Sequence, residues 1–262
     1  MKPYFLYKGK KSRDMGISIL KLPPRIKPEQ RGELITIPGR DGFLFESDES
    51  YHNKTLEIEC TFLPPDNKSK EEIDNIIKEI LVWLDGSGDL IFSDYLDYYY
   101  EARIINAIPI ERLFKRYRRF LIAFEVQPFS KNINLSKITK ATLTEETINV
   151  SSFYETPLKI KLEATGNVEV HINDTIMHFY DLEVPIIIDG ELMNTISETG
   201  SNMNNHMSGD YPKLKPGENT ISVICGSSST FSKMTIEYRG RWLWLDYTKE
   251  KKQTSSTMVL EF

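Results

Sequence analysis

Ile37-Pro38-Gly39-Arg40-Asp41-Gly42 is the stretch from which the organisation of this chain is read. Proline fixes φ, the glycine after it releases φ, and Asp41-Gly42 is a second turn dipeptide, so the segment reverses the chain with Arg40 at its exposed tip. A phosphate-binding loop needs spaced glycines and a lysine, which this stretch lacks. Leu34-Ile35-Thr36 leads into the reversal as extended chain.

Working outward, residues 4–7 and 17–22 read as short strands, the second ended by Pro23-Pro24. Leu56, Ile58, Cys60 and Phe62 alternate with Glu57, Glu59 and Thr61, a period of two that buries one face of a strand. Ser69-Lys70-Glu71-Glu72 spells a capping box, and Ile73, Ile76, Ile77, Ile80, Leu81 and Leu84 then fall three and four apart, which predicts a helix over 69–84. Asp85-Gly86-Ser87-Gly88 ends it. Strands follow at 90–93 and 98–105. Residues 110–126 read as two strands meeting at a basic tip, with Arg112, Lys115, Arg116, Arg118 and Arg119 interleaved with Leu113, Phe114, Tyr117 and Phe120. One strong helix among so many strands makes the fold mainly β, with the helix covering a sheet.

Residues 136–152, polar with isolated aliphatics, read as a linker or an edge segment, and are taken as the linker. Beyond it, strands at 157–164, 167–172, 175–180, 185–189, 219–225 and 233–239, separated by Thr165-Gly166-Asn167, Asn173-Asp174 and Pro216-Gly217, predict an all-β sandwich. Residues 194–210 read as a long loop. The expected division is therefore a first domain over 1–135, the linker 136–152, a second domain over 153–245 and a polar tail over 246–262.

The 262 residues are 40% hydrophobic and 27% charged, ample for two cores. A net charge of −5 and a pI of about 5.6 lack the basic footprint of a nucleic-acid binder. Cys60 and Cys225, one per domain, argue against a disulfide framework. The N-terminus has no signal-peptide pattern and the chain no long apolar run, so membrane insertion is not expected.

Little catalytic chemistry is legible. His52, His171, His178 and His206 are scattered without metal-ligand spacing, and no nucleophile elbow occurs. Asp89, Asp94, Asp97 and Glu101 supply carboxylates of the kind glycoside hydrolysis uses, but turn and strand-edge solvation account for them equally. The expectation is no enzyme, no metal and no cofactor. Arg40, Tyr98, Tyr99, Tyr100, Lys115, Arg116, Arg118 and Arg119 are instead the candidate inter-subunit contacts, because consecutive tyrosines on a strand face both ways and an exposed basic tip meets carboxylates of a neighbour; ordinary strand propensity also accounts for the tyrosines, and a solvated hairpin or a nucleic-acid stacking platform for the tip.

Taken together, residues 37–42, the strand 56–62, the helix ending Leu81-Val82-Trp83-Leu84, Leu90-Ile91-Phe92-Ser93-Asp94 followed by Tyr99-Tyr100-Glu101-Ala102-Arg103, and Phe124-Glu125-Val126-Gln127-Pro128-Phe129 resemble the distal tail protein (Dit) family of siphophages. Ile172-Asn173, Gly209-Asp210-Tyr211-Pro212 and Pro216-Gly217-Glu218-Asn219 are similar to that family's C-terminal domain. The resemblance implies an N-terminal β-sandwich with one helix and a protruding hairpin, and a C-terminal galectin-like β-sandwich. It further implies a homo-oligomeric, six-membered ring at the virion tail tip, made in the cytoplasm of the host bacterium. Such a ring contacts the tail tube protein on one side and the tail-associated tip or lysin protein on the other, serves as hub for receptor-binding proteins, and lets DNA cross its lumen unread. The alternative reading is a carbohydrate-binding module gripping host cell-wall sugars through Trp242 or Trp244.

Overall fold

The computed structural model describes residues 3–24, 26–63, 67–108 and 119–243, which form two compact units. The first comprises residues 1–130 and resumes at Leu243; the second comprises 131–242 and is thus inserted into the first.

In the first unit, β1 (Phe5–Tyr7), β2 (Lys10–Lys11), β3 (Ile17–Lys21), β6 (Lys54–Phe62), β7 (Ser87–Phe92), β8 (Tyr98–Ile104) and β9 (Arg119–Val126) join in the order β2-β1-β7-β8-β9-β6-β3. Every pairing within it is antiparallel. The alternation read in β6 holds: Leu56, Ile58, Cys60 and Phe62 are buried, opposite Phe124, Ile122 and Phe120 of β9. In a flat sheet β1 and β9, three strands apart, would be roughly 14 Å from one another. The rings of Phe5 and Tyr7 nevertheless stand 5.6 and 5.2 Å from that of Phe124, so the sheet curls back on itself around one core.

The helix α1 (Lys70–Leu84) covers the open side of this curl. Its capping box forms as the sequence predicts: Glu72 N–H donates to Ser69 Oγ and the Glu72 carboxylate accepts from Ser69 N–H. Ile77, Ile80, Trp83 and Leu84 are the buried face. Trp83 stacks on Phe5 at 5.8 Å and donates from Nε1 to the Tyr7 carbonyl at 2.8 Å. The last turn carries no basic residue of its own. Lys8, in the β1–β2 turn, supplies the cation instead, donating from Nζ to the Asp85 carbonyl, so the orphan acceptors at the helix end are met from another element. Gly88 is required for this, because a Cβ there would lie 2.5 Å from Lys8 Cγ.

In the second unit the long strand β13 (Thr156–Ile172) is common to two faces. Its first half lies in the order β11 (Ser136–Lys140), β20 (Thr230–Tyr238), β13, β15 (Ile186–Asp189), β16 (Asn194–Ser197). Its second half lies in the order β12 (Glu146–Val150), β19 (Gly217–Cys225), β13, β14 (Thr175–Leu182), β17 (Met207–Ser208). Leu158, Ile160 and Leu162 from one half and Val168, Val170 and Ile172 from the other share a single core.

Four expectations are corrected. The segment 136–152 is not a linker but takes the other reading open to it, edge strands: it contributes β11 and β12, whose ladders to β20 and β19 bury Lys140 and Val150. Residues 194–210 are not one loop but hold β16, a short 3-10 turn (Asn204–His206) and β17. Thr165-Gly166-Asn167 does not divide two strands. Gly166, at φ 77°, forms a bulge where the register shifts and the strand continues. The expected boundary at 135 also moves, since the second unit begins at Lys131. The basic tip at 109–118, with Arg112, Lys115, Arg116 and Arg118, and the polar tail lie outside the described residues.

Candidate interaction surface

The reversal at 37–42 is the tip of a hairpin formed by β4 (Gln30–Ile35) and β5 (Leu44–Tyr51). Gly39 and Gly42 have φ of 79° and 81°, and Arg40 N–H donates to the Ile37 carbonyl at 3.1 Å, so each glycine takes the left-handed conformation the turn demands. Arg40 is exposed, as the sequence predicts. At Gly32 the strands approach so closely that a Cβ would stand 2.4 Å from the Glu46 carbonyl oxygen. A register shift between Gln30 and Gly32, with Glu49 at φ 63°, twists the base.

Among the described residues β4 and β5 pair only with each other. Leu34 is 63% exposed and Phe43 61% exposed, and Ile37, Leu44 and Phe45 are also in solvent. An isolated two-stranded ribbon is marginal in water, and its apolar residues have no core of their own to enter. Among the described residues of the first unit, this hairpin gathers five exposed apolar side chains within twelve positions. The sequence placed the turn correctly but gave no sign of exposure, because Phe43-Leu44-Phe45 reads equally as buried strand.

The other candidate contacts divide. Tyr98 and Tyr99 are half-buried, with Tyr98 packed against the core. Tyr100 is corrected: at 5% exposure it points inward, where burial pushes its hydroxyl up to about 12, and it cannot meet a neighbour. The period of two explains the split, since Tyr100 shares a face with buried Ala102. Arg119 is exposed and pairs with Glu59 at 3.3 Å.

The four carboxylates considered for hydrolysis divide: Asp89 and Glu101 line one open pocket of about 580 Å³ with Arg103 and Glu125, and Asp94 and Asp97 are not among its lining residues. Asp89 and Glu101 stand opposite each other on β7 and β8, while Asp94 accepts from Ser93 Oγ in the following turn. Among the described residues no three His, Cys, Asp or Glu side chains form a group able to hold a metal ion. A contact that sequence spacing did not reveal is Glu169 of β13, reached by His171 Nε2 at 3.0 Å and His178 Nδ1 at 3.2 Å. The His171 hydrogen bond is the largest influence holding this carboxyl below the usual range. Trp242 is buried to 4% exposure against Phe153, ring centroids 4.8 Å apart, so it offers no sugar platform; Trp244 lies outside the described residues. Burial pushes the Cys60 thiol up to about 12, and Cys60 and Cys225 are both free. No helix among the described residues is long and apolar enough to cross a membrane.

Comparison with known proteins yields two findings. Residues 12–126 match the phage tail protein RIFT-related domain family. The fold as a whole is similar to the crystal structure of the Dit protein of phage SPP1, described as a paradigm of the hub adsorption apparatus in phages infecting Gram-positive hosts. The TM-score is 0.70 at 14% identity, covering 92% of this chain and all of that one. No curated protein matches. The two findings support the resemblance to siphophage distal tail proteins, and the mainly β fold with one helix stands as expected.

Proposed function

We propose that this chain, a phage tail protein with the fold of a distal tail protein, is a structural ring component joining the tail tube to the adsorption apparatus at the virion tail tip. The observation that carries the reading is the coverage of the fold match, which takes in both units of this chain and the entire SPP1 protein. The described residues contribute a physical argument of their own. The β4–β5 hairpin, with exposed Leu34, Phe43, Leu44 and Phe45, is a liability on a monomer and an asset in a closed ring, where each subunit offers one surface and receives another.

Six copies close the ring, with Arg40, Tyr98, Tyr99 and Arg119, together with Lys115, Arg116 and Arg118, at the neighbour contacts. One face takes the tail tube protein and the other the tip or lysin protein, receptor-binding proteins dock on the hub, and DNA passes through the lumen without being read. The role requires no catalysis.

Light scattering of the purified protein across concentration, followed by negative-stain imaging, tests the reading. A six-fold annulus with a central hole supports it. A chain that stays monomeric alone and also when mixed with its tail tube protein refutes it. Cell-wall sugar binding by the second unit would show on a glycan array; of the two tryptophans on which that reading rested, Trp242 is buried and Trp244 lies outside the described residues.

A further inference from the structure

Lys54 opens β6 at 6% exposure, an unusual place for a cation. Its Nζ donates to the Leu243 carbonyl at 2.8 Å and stands 4.8 Å from the centre of the Tyr100 ring. No carboxylate pairs with it among the described residues, and desolvation alone perturbs it. The groups around it explain why. Val126 of β9 lies opposite it in the ladder, and Tyr100 and Ala102 of β8 are buried on the same side, with Tyr100 neutral. Glu101, Arg103 and Glu125 alternate onto the other face of the sheet, where Arg103 and Glu125 pair with one another.

Leu243 is where the chain comes back to the first unit after the inserted second one. We infer that Lys54 is a latch whose buried amine fastens the returning chain at Leu243, and that carrying a proton there loosens the fastening, because closure strips the charge of water. A carbonyl dipole and an aromatic face offset part of the cost of burying an ammonium, but without a counter-ion they do not offset all of it.

The direction follows from linkage. Burial lowers the Lys54 pKa from 10.5 to about 8. When Leu243 lifts away and water reaches the amine, the ordinary value returns, so the open state binds the proton more tightly than the closed one. Closure therefore strengthens as pH rises from about 8 towards 10.5 and is flat below that interval. From pH 7.5 to 9.5 the closed-to-open ratio should increase about 20-fold, from the two pKa values and the linkage relation.

The test uses the full chain. Hydrogen exchange of a peptide spanning Leu243, corrected for intrinsic base catalysis, is followed from pH 7.5 to 9.5 in the wild type and in Lys54→Met. The wild-type protection factor should rise about 20-fold relative to the variant. Parallel profiles would overturn the inference. A direct NMR titration of the Lys54 side chain in the wild type guards against a variant that does not fold: a midpoint near 8 supports the latch, and one above 10 overturns it. Neither measurement depends on ring assembly, so the outcome is separable from the proposed function.

Discussion

Replacing Trp83 tests the account of how the helix closes the first unit. Its indole is 5% exposed, stacks on Phe5 at an interplanar angle of 8°, and donates to the Tyr7 carbonyl. Trp83→Ala removes that packing and opens a cavity in the curl, for which large-to-small aromatic deletions cost about 3–5 kcal/mol. The lost hydrogen bond adds roughly 1 kcal/mol. Trp83→Phe keeps a ring over Phe5 but not the donor, so it should lose about 1–3 kcal/mol. Urea unfolding followed by far-UV circular dichroism gives both values at one temperature. The order wild type, Trp83→Phe, Trp83→Ala is the prediction. A Trp83→Phe variant within about 0.5 kcal/mol of wild type, beside a Trp83→Ala variant losing less than about 2, would refute the idea that this indole fastens the helix.

Other expectations are more local. Phe43→Ser with Phe45→Ser should leave the circular dichroism spectrum unchanged, since both residues are exposed, and abolish the large species in light scattering; a normal ring would exclude the hairpin from the interface. Gly166→Ala should destabilise the second unit by about 1–3 kcal/mol in thermal unfolding, because the bulge needs positive φ and a Cβ would press on Ser229 Oγ at 2.6 Å; an unshifted midpoint would disprove it. Glu146 has its pKa lowered, chiefly by its hydrogen bond to Lys140, whose side chain is 2% exposed. A depressed carboxyl stabilises the fold above its unfolded pKa and loses that contribution as pH falls through the folded one, so unfolding midpoints from pH 6 to 3 should fall less steeply in Lys140→Met than in wild type.

The sequence was most legible where local chemistry is self-contained. The capping box at Ser69 and Glu72, the turn glycines Gly39 and Gly42, and the alternation from Leu56 to Phe62 each fix backbone geometry within a few residues. It was least legible where a strand depends on a distant partner. In β11 and β12 only a half-buried face is apolar, so Ile138 and Ile148 look like isolated aliphatics until β20 and β19 lie beside them. Gly166 looks like a turn residue because bulges and turns use the same positive φ. In Tyr98-Tyr99-Tyr100 periodicity shows that the faces alternate but not which one is the inside, and Tyr100 went to the core. Glu169 meets His171 two residues along β13 on the same face, but its contact with His178 arises from the register between β13 and β14, which spacing along one strand does not encode.

The insertion of residues 131–242 into the first unit also sets an order of events during synthesis. By the time Leu243 is added, the ribosome has already produced every strand of the inserted unit and nearly all of the first. The carbonyl that meets Lys54 therefore arrives only after the whole inserted unit, and the amine must wait in water for it. A nascent chain stopped before Leu243 is released would hold the strands of both units and an unfastened lysine, so this contact can form only after the inserted unit has been made.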